Sequence, residues 1–416
     1  MVCRKNAFYA QSGGVTSVIN ASACGVIETA NKSNEINKVL CGLNGILGAL
    51  NENLIDSSKE TKSTISKLKN TPGGAFGSCR FKLQDPNTQK AEYARLFEVF
   101  AAHNIGYFFY NGGGDSQDTT YKVSKMANEL NFPIRCIGIP KTVDNDLPYT
   151  DCSPGFGSVA KYVATSTLEA GLDVKSMAET STKVFILEVM GRHAGWIAAA
   201  SCLATRKRKD PPHMILIPEV PFEEEKFIST VKNIVNQYGY CVVVASEGTK
   251  YKTGKFLADS GSTDAFGHKQ LGGVAPILSQ KISKIGLKNH WAVADYLQRS
   301  ARHIASKTDL EQAYAVGSHA VKLAVSGKNA LMPIIERLSD DPYKWKIGTV
   351  SLKNVANVEK TVPRNFISKN GFNITAAGRR YLNPLILGEA PIPFSRGVPE
   401  VAELRNILVK QKLKKL

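Results

Sequence analysis

Short apolar runs recur along this chain, each closed by Gly or Pro and each followed by a helical pattern. They are "NAFYAQSGG" (6–14), "IGYFFYNGGG" (105–114), "IRCIGIP" (134–140), "KVFILEVMG" (183–191), "HMILIPE" (213–219) and "YCVVVASEG" (240–248). Their β-branched and aromatic stretches have the size of buried strands. The segments between them carry apolar residues at helical spacing, as Leu96, Phe97 and Phe100 do in "QKAEYARLFEVFAAHN" (89–104). "SVAKYVATSTLEAGLDV" (158–174) and "EEEKFISTVKNIVNQY" (223–238) read the same way. Strand then helix, repeated, predicts an α/β fold with a parallel sheet covered on both faces. Ligands of such sheets sit at the carboxyl ends of the strands, and the Gly-rich loops fall at that edge. The pattern weakens after Asp309, where helix-like "EQAYAVGSHAVKLAVSG" (311–327) precedes a mixed tail. The last residues, "LVKQKLKKL", are expected to fray.

A chain of 416 residues is too long for one small core, so two or three domains are expected. No apolar run reaches the roughly 18 residues of a membrane span, and "MVCRKNAFYAQSGG" lacks the apolar core of a signal peptide. No membrane partner and a cytoplasmic location are expected. The eight cysteines are scattered without a CxxC pair, which argues against zinc and for free thiols, several of them in core strands. The net charge of +17 suits either nucleic acid or small, highly charged anions such as phosphates. The excess is diffuse apart from "TRKRKD" (205–210) and the tail, and few aromatics interleave with it, which argues against nucleic acid.

Chemistry concentrates in the loops after the apolar runs. In "SGGVTSVIN" (12–20) a Gly pair between strand and helix lets backbone N–H groups approach an anion, although a ligand-free tight turn reads the same. In "NGGGDSQD" (111–118) three glycines close a strand, and Ser116 is expected to cap a helix beginning near Asp118. Asp115 does not suit a plain phosphate cradle. At ~4 Å and an effective dielectric near 20 its repulsion of a phosphate is ~4 kcal/mol, so it holds Mg²⁺, excludes something, or caps the helix. "PKTVDNDL" (140–147) places one Lys and two Asp at the next strand end. A carboxylate there can take a proton from a sugar hydroxyl, a second can hold Mg²⁺, and the Lys can neutralise a transferring phosphoryl group. "EVMGRHAGW" (188–196) and "GGAFGSCRF" (73–81) each bring an Arg beside glycines, suited to a phosphate.

Together "SGGVTS", "GSCR", "GGGDS", "PKTVDND", "MGR", "SEG" and "DYLQRS", in this order across about residues 5–305, resemble the phosphofructokinase family, and the remainder looks like its short pyrophosphate-dependent branch. The resemblance implies two Rossmann-like three-layer α/β/α domains with the active site in the cleft between them. One, residues 1–150 plus roughly 300–345, would hold the phosphoryl donor. The other, 151–299 plus roughly 346–416, would hold the sugar phosphate. It also implies a homodimer or homotetramer.

Carried over by motif, the resemblance makes Asp144 the base for the C1 hydroxyl of fructose 6-phosphate. Asp146 would support Mg²⁺ or that base, and Thr142 would contact the sugar or the transferred group. Met190, Gly191 and Arg192 would line the sugar-phosphate site, Glu247 would bond sugar hydroxyls, and Tyr296 and Arg299 would bind the 6-phosphate. Lys183 falls where many relatives supply a cation from the neighbouring subunit. Gly13, Gly14, Arg80, Gly113, Gly114, Asp115 and Ser116 would hold the donor. ATP users usually read GGDGS, with Gly where Asp115 stands, and often have Gly in place of Lys141. The Asp-plus-Lys pair implies pyrophosphate as donor. Relatives commonly carry Asp or Asn at Gly114, which leaves Asp115 or Asp146 to hold the metal. ATP as donor, or sedoheptulose 7-phosphate as a second sugar, are the nearest alternatives, and a non-catalytic basic binding protein is the alternative from another class.

Overall fold

The computed structural model describes residues 4–207, 209–263, 269–271 and 273–414. Cys3, Arg208 and the last two residues of the tail lie outside them. The strands as far as residue 351 are β1 (Lys5–Ser12), β2 (Ile36–Gly42), β3 (Leu54–Asp56), β4 (Ser78–Cys79), β5 (Ile105–Gly112), β6 (Arg135–Pro140), β7 (Val184–Val189), β8 (Met214–Leu216), β9 (Cys241–Ser246), β10 (Asp259–Thr263), β11 (Lys269–Leu271), β12 (Asn289–Val293), β13 (Leu331–Asp340) and β14 (Tyr343–Ser351).

They build two principal sheets. The first runs β14-β13-β6-β5-β1-β2-β3, with β4 added beside the end of β1; the second runs β12-β7-β9-β8. Pairing is parallel throughout the second sheet and through the middle of the first. The first sheet departs from the parallel expectation at its edges, where β2–β3 and the β13–β14 hairpin are antiparallel. That hairpin lies where the sequence pattern had weakened. Only Leu331–Ile335 of β13 form an apolar run; the rest of the hairpin is half-buried or exposed and mixes polar with apolar residues, which blurs the strand signal.

The aromatic run of β5 shows why these residues form a strand. Alternate side chains point to opposite faces. Phe108 and Tyr110 join Phe8, Phe97 and Phe100 on one face, under the helix Lys90–Ala102, while Phe109 meets Tyr9, Ile137 and Ile139 on the other. Phe8 and Phe108 stack at 5.6 Å between centroids. The second apolar layer continues into Phe156, Val189, Trp196 and Val244, so both sheets share one core.

The tail does not fray over the described residues. Leu408 pairs antiparallel with Ile55, and the N–H of Asp56 and the carbonyl of Leu54 bond Ile407 and Val409. The buried carboxylate of Glu52 accepts from the N–H groups of Lys412 and Leu413 at 2.6 and 3.1 Å, and lies 2.6 Å from His103 Nε2. The unpaired edge of β3 is what makes this docking favourable, because it offers backbone groups that need partners.

Candidate active site

The carboxyl ends of β1, β5 and β6 face those of β7, β9 and β12 across a cleft of about 1110 Å³, lined by Gly13, Asp115, Lys141, Asp144, Arg192 and Glu247 among others. Single small-molecule sites run to about 300–1,000 Å³, so two ligands fit side by side.

On the first sheet's side the walls are bare backbone. Gly13 has φ of 70°, a left-handed conformation that Gly adopts freely. Its N–H donates to the carbonyl of Cys79 at 3.0 Å, and its carbonyl accepts from Ser78 Oγ at 2.7 Å. This fixes the loop carrying Arg80 beside it. The helix after β5 spans Gly114–Glu129 with Gly113 as its N-cap, so it begins earlier than expected. Ser116 is therefore not the cap. It lies inside the first turn, buried, and its hydroxyl packs where a Cβ on Gly112 would stand, 2.0 Å away. Gly112 thus makes room for Ser116, while Gly113 and Gly114 leave the helix's positive end open to the cleft. A Cβ on Gly114 would meet nothing within 4 Å.

Asp115 lines this cradle, but Lys82 Nζ stands 2.5 Å from its Oδ1, and its side chain is 43% exposed. The ~4 kcal/mol repulsion expected of a bare carboxylate is therefore too large. Lys82 offsets much of the charge and solvent screens the rest.

The loop after β6 supplies the reactive groups. Lys141 is buried and donates from Nζ to the carbonyl of Gly14 at 2.6 Å. Burial, with Arg299 nearby, pulls its ammonium down to about 8. The N–H of Asp144 donates to Thr142 Oγ1 at 3.0 Å, which closes a tight turn. Burial, with Asp146 and Glu247 as like charges, pushes the Asp144 carboxyl up to about 7. Burial also raises Asp146, whose Oδ1 is shielded from solvent and has no hydrogen-bond partner.

The second sheet faces this turn with the loops after β7 and β9. The N–H of Gly191 donates to Glu247 Oε1 at 3.3 Å, and that of Met190 to Gln298 Oε1 at 3.3 Å. Burial raises Glu247 despite Arg192 beside it. Arg299 stacks on Tyr296 at 3.8 Å, yet its Nη1 lies only 2.6 Å from where a Cβ on Gly14 would be. The residue assigned to the 6-phosphate thus reaches the donor loop.

Of the assigned residues, Gly191 and Lys183 do not line this cleft: Gly191 sits between Met190 and Arg192, which do, whereas Lys183 is remote. It precedes β7 at the end remote from the loops, and its Nζ donates to the carbonyls of Ala178 and Glu179. The sequence reading did not name Lys82, Glu188, His193 or Glu359, all close to the cleft or lining it. Glu188 caps the helix Val274–Ser283 through the N–H of Ala275, at 2.7 Å. His193 Nδ1 lies 3.0 Å from Glu359 Oε1, and that bond raises its pKa. His193 and Lys82 adjoin the quoted MGR and GSCR motifs; nothing local marks Glu359.

A backbone cradle for anions facing a half-buried carboxylate defines a site for phosphoryl transfer between small molecules. The phosphofructokinase family model matches residues 6–324. The chain is 60% identical to the pyrophosphate–fructose 6-phosphate 1-phosphotransferase of Halomonas elongata, over 99% of both chains. It is 58% identical to the enzyme of the same name from Methylococcus capsulatus, over 98% of both. The crystal structure of pyrophosphate-dependent phosphofructokinase from Marinobacter aquaeolei superposes with a TM-score of 0.91, at 61% identity and covering 99% of both chains. The chain belongs to the phosphofructokinase family.

Proposed function

We propose that this chain transfers a phosphoryl group from pyrophosphate to the C1 hydroxyl of fructose 6-phosphate, giving fructose 1,6-bisphosphate and phosphate. The carrying observation is Asp144: a half-buried carboxyl raised to about 7, on a turn beside a buried lysine and across from an arginine. Its ionised form takes the C1 proton as the hydroxyl oxygen bonds to the terminal phosphorus. The bridging P–O bond breaks, and phosphate leaves with the bond's electrons. Lys141 and Arg192 neutralise charge on the phosphoryl oxygens, and Gly13, Gly14, Arg80, Gly113, Gly114 and Ser116 seat the donor. Met190, Gly191, Arg192, Glu247, Tyr296 and Arg299 seat the sugar phosphate, with Thr142 contacting the sugar or the transferred group. One phosphoryl bond is exchanged for another of similar energy, so the reaction runs either way.

The residues fit a magnesium ion. Among the described residues no cluster of three His, Cys, Asp or Glu is placed to hold one, but Mg²⁺ commonly takes one or two carboxylates plus substrate phosphates. The unpartnered Asp146 Oδ1 suits that role, with Asp115 as the second candidate. Bound there, the ion would neutralise charge on the donor.

The names of the relatives and the Asp115–Lys141 pair both support pyrophosphate as donor. We further read the chain as a cytoplasmic homodimer or homotetramer in which Lys183, remote from its own cleft, serves a neighbouring one. No helix among the described residues is long and apolar enough to cross a membrane. The deciding experiment is a steady-state assay with fructose 6-phosphate, Mg²⁺ and either donor. The expected result is a preference for pyrophosphate over ATP of at least ~100-fold in kcat/KM, about 2.7 kcal/mol. Brisk turnover with ATP and none with pyrophosphate overturns the proposal.

A further inference from the structure

Beyond the stretch matched by the family model, the segment from Asn357 to Glu359 lines the cleft, and Lys360 follows it directly. We propose that Lys360 is a positioning residue for phosphoryl transfer: it clamps the turn that carries Asp144 and Asp146 while spending none of its own hydrogen bonds on either carboxylate. The inference rests on the site assignment above.

The clamp acts on main chain and on one amide. The N–H of Lys360 donates to the carbonyl of Asp146 at 2.7 Å. Its Nζ donates to the carbonyls of Thr150 and Asp151, each at 3.0 Å, and approaches Asn145 Oδ1 at 3.4 Å. Asn145, between the two aspartates, is buried with φ of 54°. That left-handed backbone is uncommon outside glycine and needs support. Support comes from Asn145 Nδ2, which donates to the Tyr381 hydroxyl at 3.0 Å, and from Oδ1, which accepts from the Ser153 N–H at 3.0 Å. Tyr381 in turn donates to the carbonyl of Asp151. Trp196 fixes Lys360 from below: its Nε1 donates to the Lys360 carbonyl at 2.9 Å, and the ammonium lies 5.5 Å from its ring centroid.

Several carbonyls that no regular element serves are thus met by one side chain and one N–H. An ammonium drawn half out of solvent keeps its charge at low cost only when acceptors surround it in this way. The arrangement spends none of these bonds on Asp146 Oδ1, which stays unpartnered.

The test is Lys360→Met beside Tyr381→Phe, each assayed against wild type with whichever donor wild type turns over. A wild type inactive with pyrophosphate then counts against the proposed function, not against this proposal. Misplacing a reacting group by about 1 Å costs on the order of 100-fold. Lys360→Met should therefore lower kcat by ~30–100-fold, with both KM values within about threefold. Tyr381→Phe keeps its ring against Trp196 and should lower kcat by a smaller factor, again without moving KM. Because both act on one turn, the double variant should lose less than the product of the two. A folded Lys360→Met with unchanged kcat, or with its loss confined to KM, overturns the proposal. Should Lys360→Met fail to fold, an unchanged kcat in Tyr381→Phe overturns it.

Discussion

Lys141 Nζ donates to the carbonyl of Gly14 at 2.6 Å, and that single bond ties the loop after β6 to the loop after β1. Arg299 reaches the same glycine from the other sheet. The donor cradle, the base-bearing turn and the opposite wall therefore converge on one glycine, Gly14.

The convergence sets a pH window. Asp144 must be ionised to accept the C1 proton, and its carboxyl lies at about 7. Lys141 must be protonated to hold phosphoryl charge, and its ammonium lies at about 8. The profile of kcat/KM should be bell-shaped, highest between these values and falling about tenfold per unit well outside them. A flat profile from pH 6 to 9 contradicts this reading.

Asp144→Asn separates activity from stability. Loss of the base should lower kcat by ~10²–10⁴-fold. The folded-state pKa of Asp144 is raised, so the native chain holds its proton more tightly than the unfolded one between the ordinary carboxylate range and about 7. Stability is thus lost as pH rises through that window. The neutral amide avoids this penalty, and at pH 8 the variant should be more stable by about 1–3 kcal/mol, seen as a raised Tm.

Gly14→Ala tests the contact with Arg299. A methyl there would stand 2.6 Å from Nη1, at the far end of a flexible side chain that can swing away. The fold should survive with its Tm nearly unchanged. Displacing the guanidinium should raise the fructose 6-phosphate or donor KM by about tenfold, near 1.4 kcal/mol.

Asp115→Gly combined with Lys141→Gly should admit some ATP and weaken use of pyrophosphate. Because Lys82 already offsets Asp115, the single Asp115→Gly change should shift the ratio of kcat/KM for the two donors less than the double change does. An unmoved ratio in the double variant would falsify the gate.

The helices and the six apolar runs were legible because their strands are buried on both sides, and continuous β-branched sequence follows from that. β12 was not: His290 to Val293 are exposed at a sheet edge, so no apolar run marks it. Asp144, Asp146 and Arg192 could be read from motifs because each lies within a few residues of a strand end, the two aspartates after β6 and the arginine after β7. Glu359, Lys360 and Tyr381 could not. They approach the turn only through tertiary packing, from positions more than 200 residues later, as the spacing of Lys360 from Asn145 shows. The fate of the tail was missed for a related reason. Its lysines read as a solvated run, while its anchoring uses main-chain N–H groups on Glu52, which composition does not reveal.

Truncation after Glu400 tests that anchoring. It removes the partners on the outer edge of β3 and strips two N–H donors from a buried carboxylate. The expected cost is about 2–4 kcal/mol, read as a fall in Tm of several degrees.

The hairpin β13–β14 also orders events in time. About 190 residues lie between the end of β6 and the start of β13, and at ~5–20 residues per second a ribosome needs ~10–40 s to make them. During that interval the flank of β6 has no neighbour. The half of the enzyme synthesised first is thus completed late, and a nascent chain must be shielded from pairing with another copy until the hairpin emerges.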